Sequence, residues 1–321
     1  MSGWPHPCRI ATVLLVAGAG GLGAWVGWWT PAQPWPKATG WEEIPPGERP
    51  AAKALWDDPR EPAPRLFWLG HAGFLVEWHG TRLLLDPNTS AWCTVARRRL
   101  EPALDPLRLG PIDAALVSHA HFDHLDLATL RQAPLAAIVL PRGSERYLGG
   151  GWDGVRRLPL GVGESVGIGG LEVVAVAAAH HGGRRHPLPS RQAALGYVLR
   201  RAGDSGASLY FAGDTGAGLD FARLRRLYRP RAAILPIGAY APRWLLAPYH
   251  LSPEEAVAAA GVLGVETVVP SHFGTFVLAL DRPAAALPRF ARAARAAGLA
   301  WVMPELLRHP GQLTAGDEAR R

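Results

Sequence analysis

Lysine is nearly missing from this 321-residue chain: Lys37 and Lys53 stand alone among 34 basic residues, so the formal charge of +7 is an arginine charge. The arginines cluster at Arg97 to Arg99, Arg156-Arg157, Arg184-Arg185, Arg200-Arg201 and Arg225-Arg226. None of these pairs is interleaved with aromatic side chains, which argues against the stacking platform of a single-strand nucleic-acid binder and leaves solvated faces. No nucleic-acid partner is expected. Cysteine is equally scarce, with only Cys8 and Cys93, and that excludes a disulfide framework and any site built from several thiolates. Cys8 precedes the apolar N-terminal stretch, whereas a lipoprotein cysteine would follow it. No internal repeat is evident. The glycines of Gly161 to Gly170 superficially resemble a nucleotide loop, yet they lead into a strand where a phosphate cradle must open a helix.

Charge is absent altogether from Ile10 to Trp29, a stretch long enough to cross a hydrocarbon core as a helix. Trp25, Trp28 and Trp29 sit where an interfacial aromatic belt would form. Two readings follow, an uncleaved anchor or a cleaved signal peptide with Arg9 as its charged region, Ile10 to Val16 as its apolar region and Ala17-Gly18-Ala19 as its cleavage site. The anchor is the preferred one. Both place the body of the protein outside the cytoplasm, periplasmic or extracytoplasmic. The expected organisation is an anchor or signal over 1–30, a proline-rich linker over 31–64, a catalytic domain over 65–309 and a polar tail over 310–321.

Within 65–309 the apolar patterning predicts many strands and few helices. Strand signals fall at Leu66 to Leu69, Gly73 to Trp78, Thr81 to Leu85, Ala114 to Val117, Ala137 to Leu140, Leu171 to Val176, Leu195 to Leu199, Ser208 to Ala212, Ala232 to Pro236, Thr267 to Val269 and Leu299 to Val302. His79-Gly80 suits a hairpin turn. Helices are predicted at Asp126 to Gln132, Leu219 to Tyr228 and Ala284 to Ala297, and a capping box at Ser252-Pro253-Glu254-Glu255 opens another that ends at Gly264.

Directly after the apolar run Ala114 to Ser118 comes His119-Ala-His121-Phe-Asp123-His124, four potential metal ligands in six residues. Imidazole and carboxylate are ligands that zinc accepts. Residues two apart on an α-helix point about 200° away from each other, so His119 and His121 share a metal only from an extended or loop backbone. Two metals need about three protein ligands each. Further candidates, His180, Asp214 and His272, each stand where a loop is expected to leave a strand, and strand ends on one sheet edge converge.

This order of motifs resembles the metallo-β-lactamase superfamily over about Arg65 to Pro304. The resemblance implies an α/β fold, a four-layered αβ/βα sandwich, with a two-metal site along one edge of its sheets. It implies His119, His121 and His180 on one metal, Asp123, His124 and His272 on the other, and Asp214 bridging, with two Zn2+ as cofactors or another divalent metal in their place. His181 competes with His180 for its position. His71 and Asp86 are expected to hold ligands from behind.

Gly70-His71-Ala72-Gly73, Asp86-Pro87, Pro236 to Trp244, His250 and His272-Phe273-Gly274-Thr275-Phe276 resemble the N-acyl-phosphatidylethanolamine phospholipase D branch of that superfamily. That likeness implies a phosphodiesterase for glycerophospholipids, acting at a membrane. Asp123, Asp214 and His250 are its expected catalytic residues, and Arg243, His250 and Tyr240 its expected substrate contacts. A lactone or other ester hydrolase, and an inactive membrane-tethered binding protein, are the alternatives. Oligomeric state and headgroup preference are not readable from the sequence.

Overall fold

The structure, a computed structural model, describes residues 39–46, 49, 50, 54–100, 105–184, 192–203, 206–308 and 312. The apolar runs become strands, most of them buried on both faces. β1 (Arg65–Gly70), β2 (Gly73–Trp78) and β3 (Thr81–Leu85) form a meander, a small hairpin of β4 (Trp92–Cys93) and β5 (Ala96–Arg97) follows, and β6 (Ala114–Leu116), β7 (Ala137–Pro141) and β8 (Arg156–Leu160) complete a first sheet in the order β1-β2-β3-β6-β7-β8. The second sheet uses β9 (Ser165–Ile168), β10 (Leu171–His181), β11 (Ala193–Arg201), β12 (Ser208–Phe211), β13 (Ala232–Pro236), β14 (Thr267–Ser271) and β15 (Ala300–Trp301), ordered β15-β14-β13-β12-β11-β10-β9.

The first sheet feeds two cores. Phe74, Val76, Leu83, Leu85, Leu116 and Val139 face Val173, Ala175, Tyr197 and Phe211 of the second sheet. Their alternates Leu75, Leu84, Ala115, Ile138 and Leu140 pack with Leu130 of helix α1 (Leu127–Gln132) and with Trp152. Each such Leu, Phe or Val contributes roughly 1.5–3 kcal/mol by its burial. Helices α2 (Phe221–Tyr228), α4 (Pro253–Leu263) and α5 (Ala286–Ala296), with the short α3 (Arg243–Leu246) between them, bring Leu224, Ala260, Leu263, Leu287 and Phe290 to the core that Ile234 and Val268 share. The result is the expected layering of helix, sheet, sheet and helix.

The capping box forms as its sequence demands: Ser252 accepts from Glu255 N–H, Glu255 reaches back to Ser252 N–H, and Gly264 closes α4 in the left-handed region. Two strands carry little sequence signal. β8 holds Pro159 and the exposed pair Arg156-Arg157, which only an edge strand tolerates. β9 is short and contains Gly167, and it pairs with β10 across the Gly169-Gly170 turn.

Where a spacer was expected, the structure packs protein. Ile44, Leu55 and Trp56 are buried in the main core, Trp56 meets Trp78 edge-on at 5.7 Å, and Trp41 meets Trp301 at 6.2 Å. Proline here signals irregular backbone; the tryptophans supply the apolar area that holds it down. Of the polar tail over 310–321, only Gln312 is among the described residues.

The expectation of a membrane-anchored, exported domain is corrected. Among the described residues no helix is long and apolar enough to cross a membrane. The longest, α4 and α5, have 11 residues each and span about 16 Å, half of the roughly 30 Å required. The stretch Ile10 to Trp29 lies outside the described residues.

Candidate metal centre

Parallel pairing points β3, β6, β12, β13 and β14 so that the loops after them leave each sheet at a carboxyl end. Those loops carry Asp86, His119 to His124, Asp214 and His272. His180 comes from the end of β10, which continues past the predicted Val176 with an irregularity in register between Ala177 and His181. His71, on the turn between β1 and β2, and His272 both hold left-handed backbone, with φ of 55° and 56°. That is a costly conformation for a non-glycine residue, and it recurs at sites where neighbours over-determine the backbone. His272 N–H donates to the His71 carbonyl at 3.0 Å and pins the two turns together.

A first group of donors forms around His119, His121 and His180. His119 Nε2 lies 2.8 Å from His121 Nδ1, and His180 Nε2 lies 3.2 Å from that same nitrogen. His180, not His181, joins the cluster; the His181 ring lies against Tyr249 at 4.4 Å. A second group gathers on Asp123 Oδ2, which is 3.4 Å from His124 Nε2, 3.2 Å from His272 Nε2 and 2.9 Å from His71 Nε2.

Asp214 stands between the groups. Its Oδ2 is 3.0 Å from His124 Nε2, 3.1 Å from His272 Nε2 and 3.9 Å from both His119 Nε2 and His180 Nε2. Gly213 makes this approach possible, because a Cβ there would come within 2.5 Å of the Ser118 Cβ, and its φ of 59° suits glycine.

The donor set fits metal ions. All seven side chains are buried, and Asp214 Oδ1 has no hydrogen-bond partner. A buried polar atom left unpaired costs too much to be idle. The outer ring nitrogens are already committed: His119 Nδ1 to Ser118 Oγ at 2.9 Å, His124 Nδ1 to Asp86 Oδ2 at 2.6 Å and His180 Nδ1 to the Tyr249 carbonyl at 2.9 Å. A proton on each outer nitrogen leaves the inner one as a lone pair aimed at the centre.

Electrostatics agree with a centre starved of positive charge. Burial works to raise the carboxyls of Asp123 and Asp214, but the neighbouring His124 charge, with hydrogen bonds from His124 and His272, holds both well below the usual carboxylate range. Burial opposes a charge on His272, and the Asp214 carboxylate overcomes it, lifting His272 to about 9. His71 goes the other way, pushed down to about 3 by burial and by the charge of His272. It is a neutral donor to Asp123.

The expected substrate contacts fare unevenly. His250 is buried at the centre, its ring 4.9 Å from that of His180 and its Nδ1 4.0 Å from Asp214 Oδ2. Arg243 is held by neighbouring protein groups. Its Nη1 donates to the carbonyls of Tyr240 at 3.3 Å and His250 at 2.8 Å, and its Nη2 meets Glu255 at 2.6 Å, so the guanidinium is a staple between α3 and α4. The Tyr240 ring is buried in the core under the Arg289 guanidinium, 4.8 Å away. Trp244, by contrast, is 83 % exposed. Replacing Arg243 by Met should therefore destabilise the fold by about 1–2 kcal/mol in urea titration, through lost carbonyl hydrogen bonds, with KM near the wild-type value if the staple is its whole role. A large rise in KM with unchanged stability would restore Arg243 to the substrate.

Several supports of the site carry no sequence signal. Arg184 donates to the carbonyls of Ala120 at 3.1 Å and Leu125 at 2.7 Å and covers Phe122, which clamps the ligand loop. Asn88 holds the Asp123 carbonyl at 3.2 Å. Cys93, distant from the motif in sequence, packs beside Phe276 and Phe122, and burial pushes its thiol well up. Each acts through segments that only the folded chain brings together, and no motif or spacing marks them.

A family model described as a Beta-lactamase superfamily domain matches residues 81–273, more than half of the chain. The chain belongs to the metallo-β-lactamase superfamily. It is 33% identical over 228 residues to an uncharacterised protein of Mycobacterium tuberculosis, across 66% of this chain and 59% of that one. The chain thus spans less than two thirds of that relative's length. A metal-dependent hydrolase of Methanopyrus kandleri is 33% identical over 216 residues, 66% of this chain and 85% of its own. An N-acyl-phosphatidylethanolamine-hydrolyzing phospholipase D of Caenorhabditis elegans is 31% identical over 234 residues, 65% of this chain and 63% of its own. Among solved structures, the metallo hydrolase Igni18 of Ignicoccus hospitalis superposes with a TM-score of 0.58 at 23% identity, covering 76% of this chain and 96% of that one. That likeness speaks for the fold, which is a metallo-hydrolase fold of the metallo-β-lactamase type.

Proposed function

We propose that this metallo-β-lactamase superfamily protein is a two-zinc hydrolase of phosphodiesters, with glycerophospholipids of the N-acyl-phosphatidylethanolamine kind as its substrate class, cleaved on the phosphate–headgroup side. The observation that carries the two-metal part is Asp214 Oδ2, placed between two groups of imidazole and carboxylate donors. Two zinc ions held there would activate water and neutralise charge on the reacting group. The phosphodiester part leans on the likeness to the nematode phospholipase.

His119, His121 and His180 would hold one ion, Asp123, His124 and His272 the other, and Asp214 both. Asp214 would also receive the proton of the attacking water, since its Oδ1 is buried without a hydrogen-bond partner. His250, beside His180 and His272, would donate to a non-bridging phosphoryl oxygen, where charge grows as the bond to the leaving group breaks.

A second reading has an observation of its own. Arg243 is spent on Tyr240, His250 and Glu255, so the site has one cationic phosphate donor fewer than the phosphodiester reading calls for, which favours a lactone or other carboxylic ester. Incubating the zinc-loaded protein with a panel of phospholipids and lactones, with products identified by mass spectrometry, separates the two. Release of headgroup amine or alcohol is expected. Turnover of lactones alone would overturn the phosphodiester reading.

A further inference from the structure

We infer that Arg98 is a positioning residue for the second group of donors, setting Asp123 from two sides, an inference that rests on the two-metal reading above. Arg98 is 1% exposed and is the largest fully buried side chain of the described residues. Among the described residues no carboxylate pairs with it directly and its Nη1 has no hydrogen-bond partner; its Nε donates to the Ser90 carbonyl at 2.9 Å and its Nη2 to the Asn88 carbonyl. Burial pushes the guanidinium down to about 10, which still leaves it charged at neutral pH. A chain rarely buries a cation against neutral carbonyls for stability alone, because its desolvation is poorly repaid.

The contacts beyond Arg98 converge on one ligand. The loop that Arg98 ties, Asp86 to Ser90, touches the ligand loop three times: Asp86 Oδ2 at His124 Nδ1, Asn88 Nδ2 at the Asp123 carbonyl at 3.2 Å, and Ser90 Oγ at Asp126 Oδ2 at 2.6 Å. On its other side the guanidinium lies over the Phe276 ring, 5.1 Å from the centroid, and Phe276 meets the His71 ring edge-on at 5.3 Å. His71 in turn contacts the Asp123 carboxylate at 2.9 Å. The neighbouring Arg99 N–H binds the Thr275 carbonyl at 2.8 Å, and Thr275 Oγ1 accepts from His71 N–H at 2.6 Å.

Backbone and carboxylate of Asp123 are therefore both held by groups that lean on Arg98. A planar fork can bridge two carbonyls of one loop while covering an aromatic face; a lysine ammonium cannot do both. The first group of donors leans less on Arg98: the Tyr249 carbonyl holds His180, and Ser118 holds His119 while bonded to Asp86, at the opposite end of the loop from the Ser90 carbonyl that Arg98 ties.

Zinc titration against a competing chelator, with cobalt substitution to read the ligand field of the second group by its visible bands, tests this on wild type, Arg98→Met, Arg98→Lys and Asn88→Ala. Both Arg98 variants should bind the second ion roughly 10–100-fold more weakly, with altered cobalt bands, while the first ion binds within about twofold of wild type. Asn88→Ala should show the same selective loss, to a smaller degree. A folded Arg98→Met with unchanged second-ion affinity and bands would overturn the inference, as would equal weakening of both ions alongside a lower melting temperature. If Arg98→Met does not fold, Asn88→Ala with an unaltered second ion overturns it instead. A wild-type chain that takes up only one zinc would sink the two-metal reading itself and this inference with it.

Discussion

Asp214→Asn is expected to leave a folded protein that retains fewer than two zinc ions per chain after dialysis and hydrolyses its substrate below detection. The amide is the same size, so the turn through Gly213 and the packing around it should survive. What changes is charge and lone pairs. In the native chain Oδ2 faces His124, His272, His119 and His180 at 3.0, 3.1, 3.9 and 3.9 Å, an anion shared by both donor groups. Asparagine offers one neutral oxygen, and its NH2 would turn two positive hydrogens toward whichever ion the oxygen does not face. Loss of a partner behind a ligand typically costs about 10–100-fold in metal affinity or activity, and loss of a ligand common to two ions should exceed that at both. Metal content by plasma mass spectrometry and initial rates with added zinc check the two halves separately. A variant that keeps two ions and its rate would remove Asp214 from the bridge.

Much of this centre is legible in the amino-acid sequence. The six residues from His119 to His124 announce their chemistry because imidazoles two apart can meet a common ion only from non-helical backbone, and the folded chain places them on a loop after β6. Asp214 and His272 are visible because apolar runs end just before them, which is where parallel strands deliver loops to a shared edge. The capping box of α4 is readable to the residue, since its signal is local. What is not legible shares one feature, dependence on contacts distant in sequence. Asn88 meets Asp123 across 35 positions and His71 meets Thr275 across 204, and no period or spacing encodes either. Arg243 is half legible: an arginine near a reactive histidine is chemically suggestive, and only the folded chain reveals its bonds to the carbonyls of Tyr240 and His250. Proline-rich composition hides Ile44, Leu55 and Trp56, whose burial depends on what lies opposite them.

The affinity of the second ion should climb with pH from pH 7 upward. His119, in the first group, is held well below its ordinary value by burial and by the charges of His124, His121 and His180, so this residue has no proton to release on binding metal. In the second group the balance is reversed. Burial opposes charge on His124, but Asp214, Asp123 and Asp86 raise it well above the ordinary histidine value, and Asp214 lifts His272 to about 9. Both are protonated at pH 7 without metal, and both must release that proton to bind it. Each proton released gives a slope of about 10-fold in affinity per pH unit, and the share from His272 levels off as pH passes its value of about 9. Stability of the metal-free chain follows the opposite sign. A histidine whose folded pKa is raised contributes stability that is complete below its unfolded value, about 6.5, and is lost as pH rises through about 9. The depressed carboxyls of Asp123 and Asp214 contribute stability present above about 4 and lost on further acidification, and His71, held down to about 3, penalises the fold as pH falls below about 6.5. The metal-free protein should therefore melt at a lower temperature at pH 9 than at pH 6.5, and the zinc-saturated protein at a higher one. Chelator competition and thermal melts across roughly pH 6.5 to 9.5 measure both trends. A second-ion affinity that is flat across this range, or metal-free and zinc-loaded melts that move together, would rule out this charge distribution.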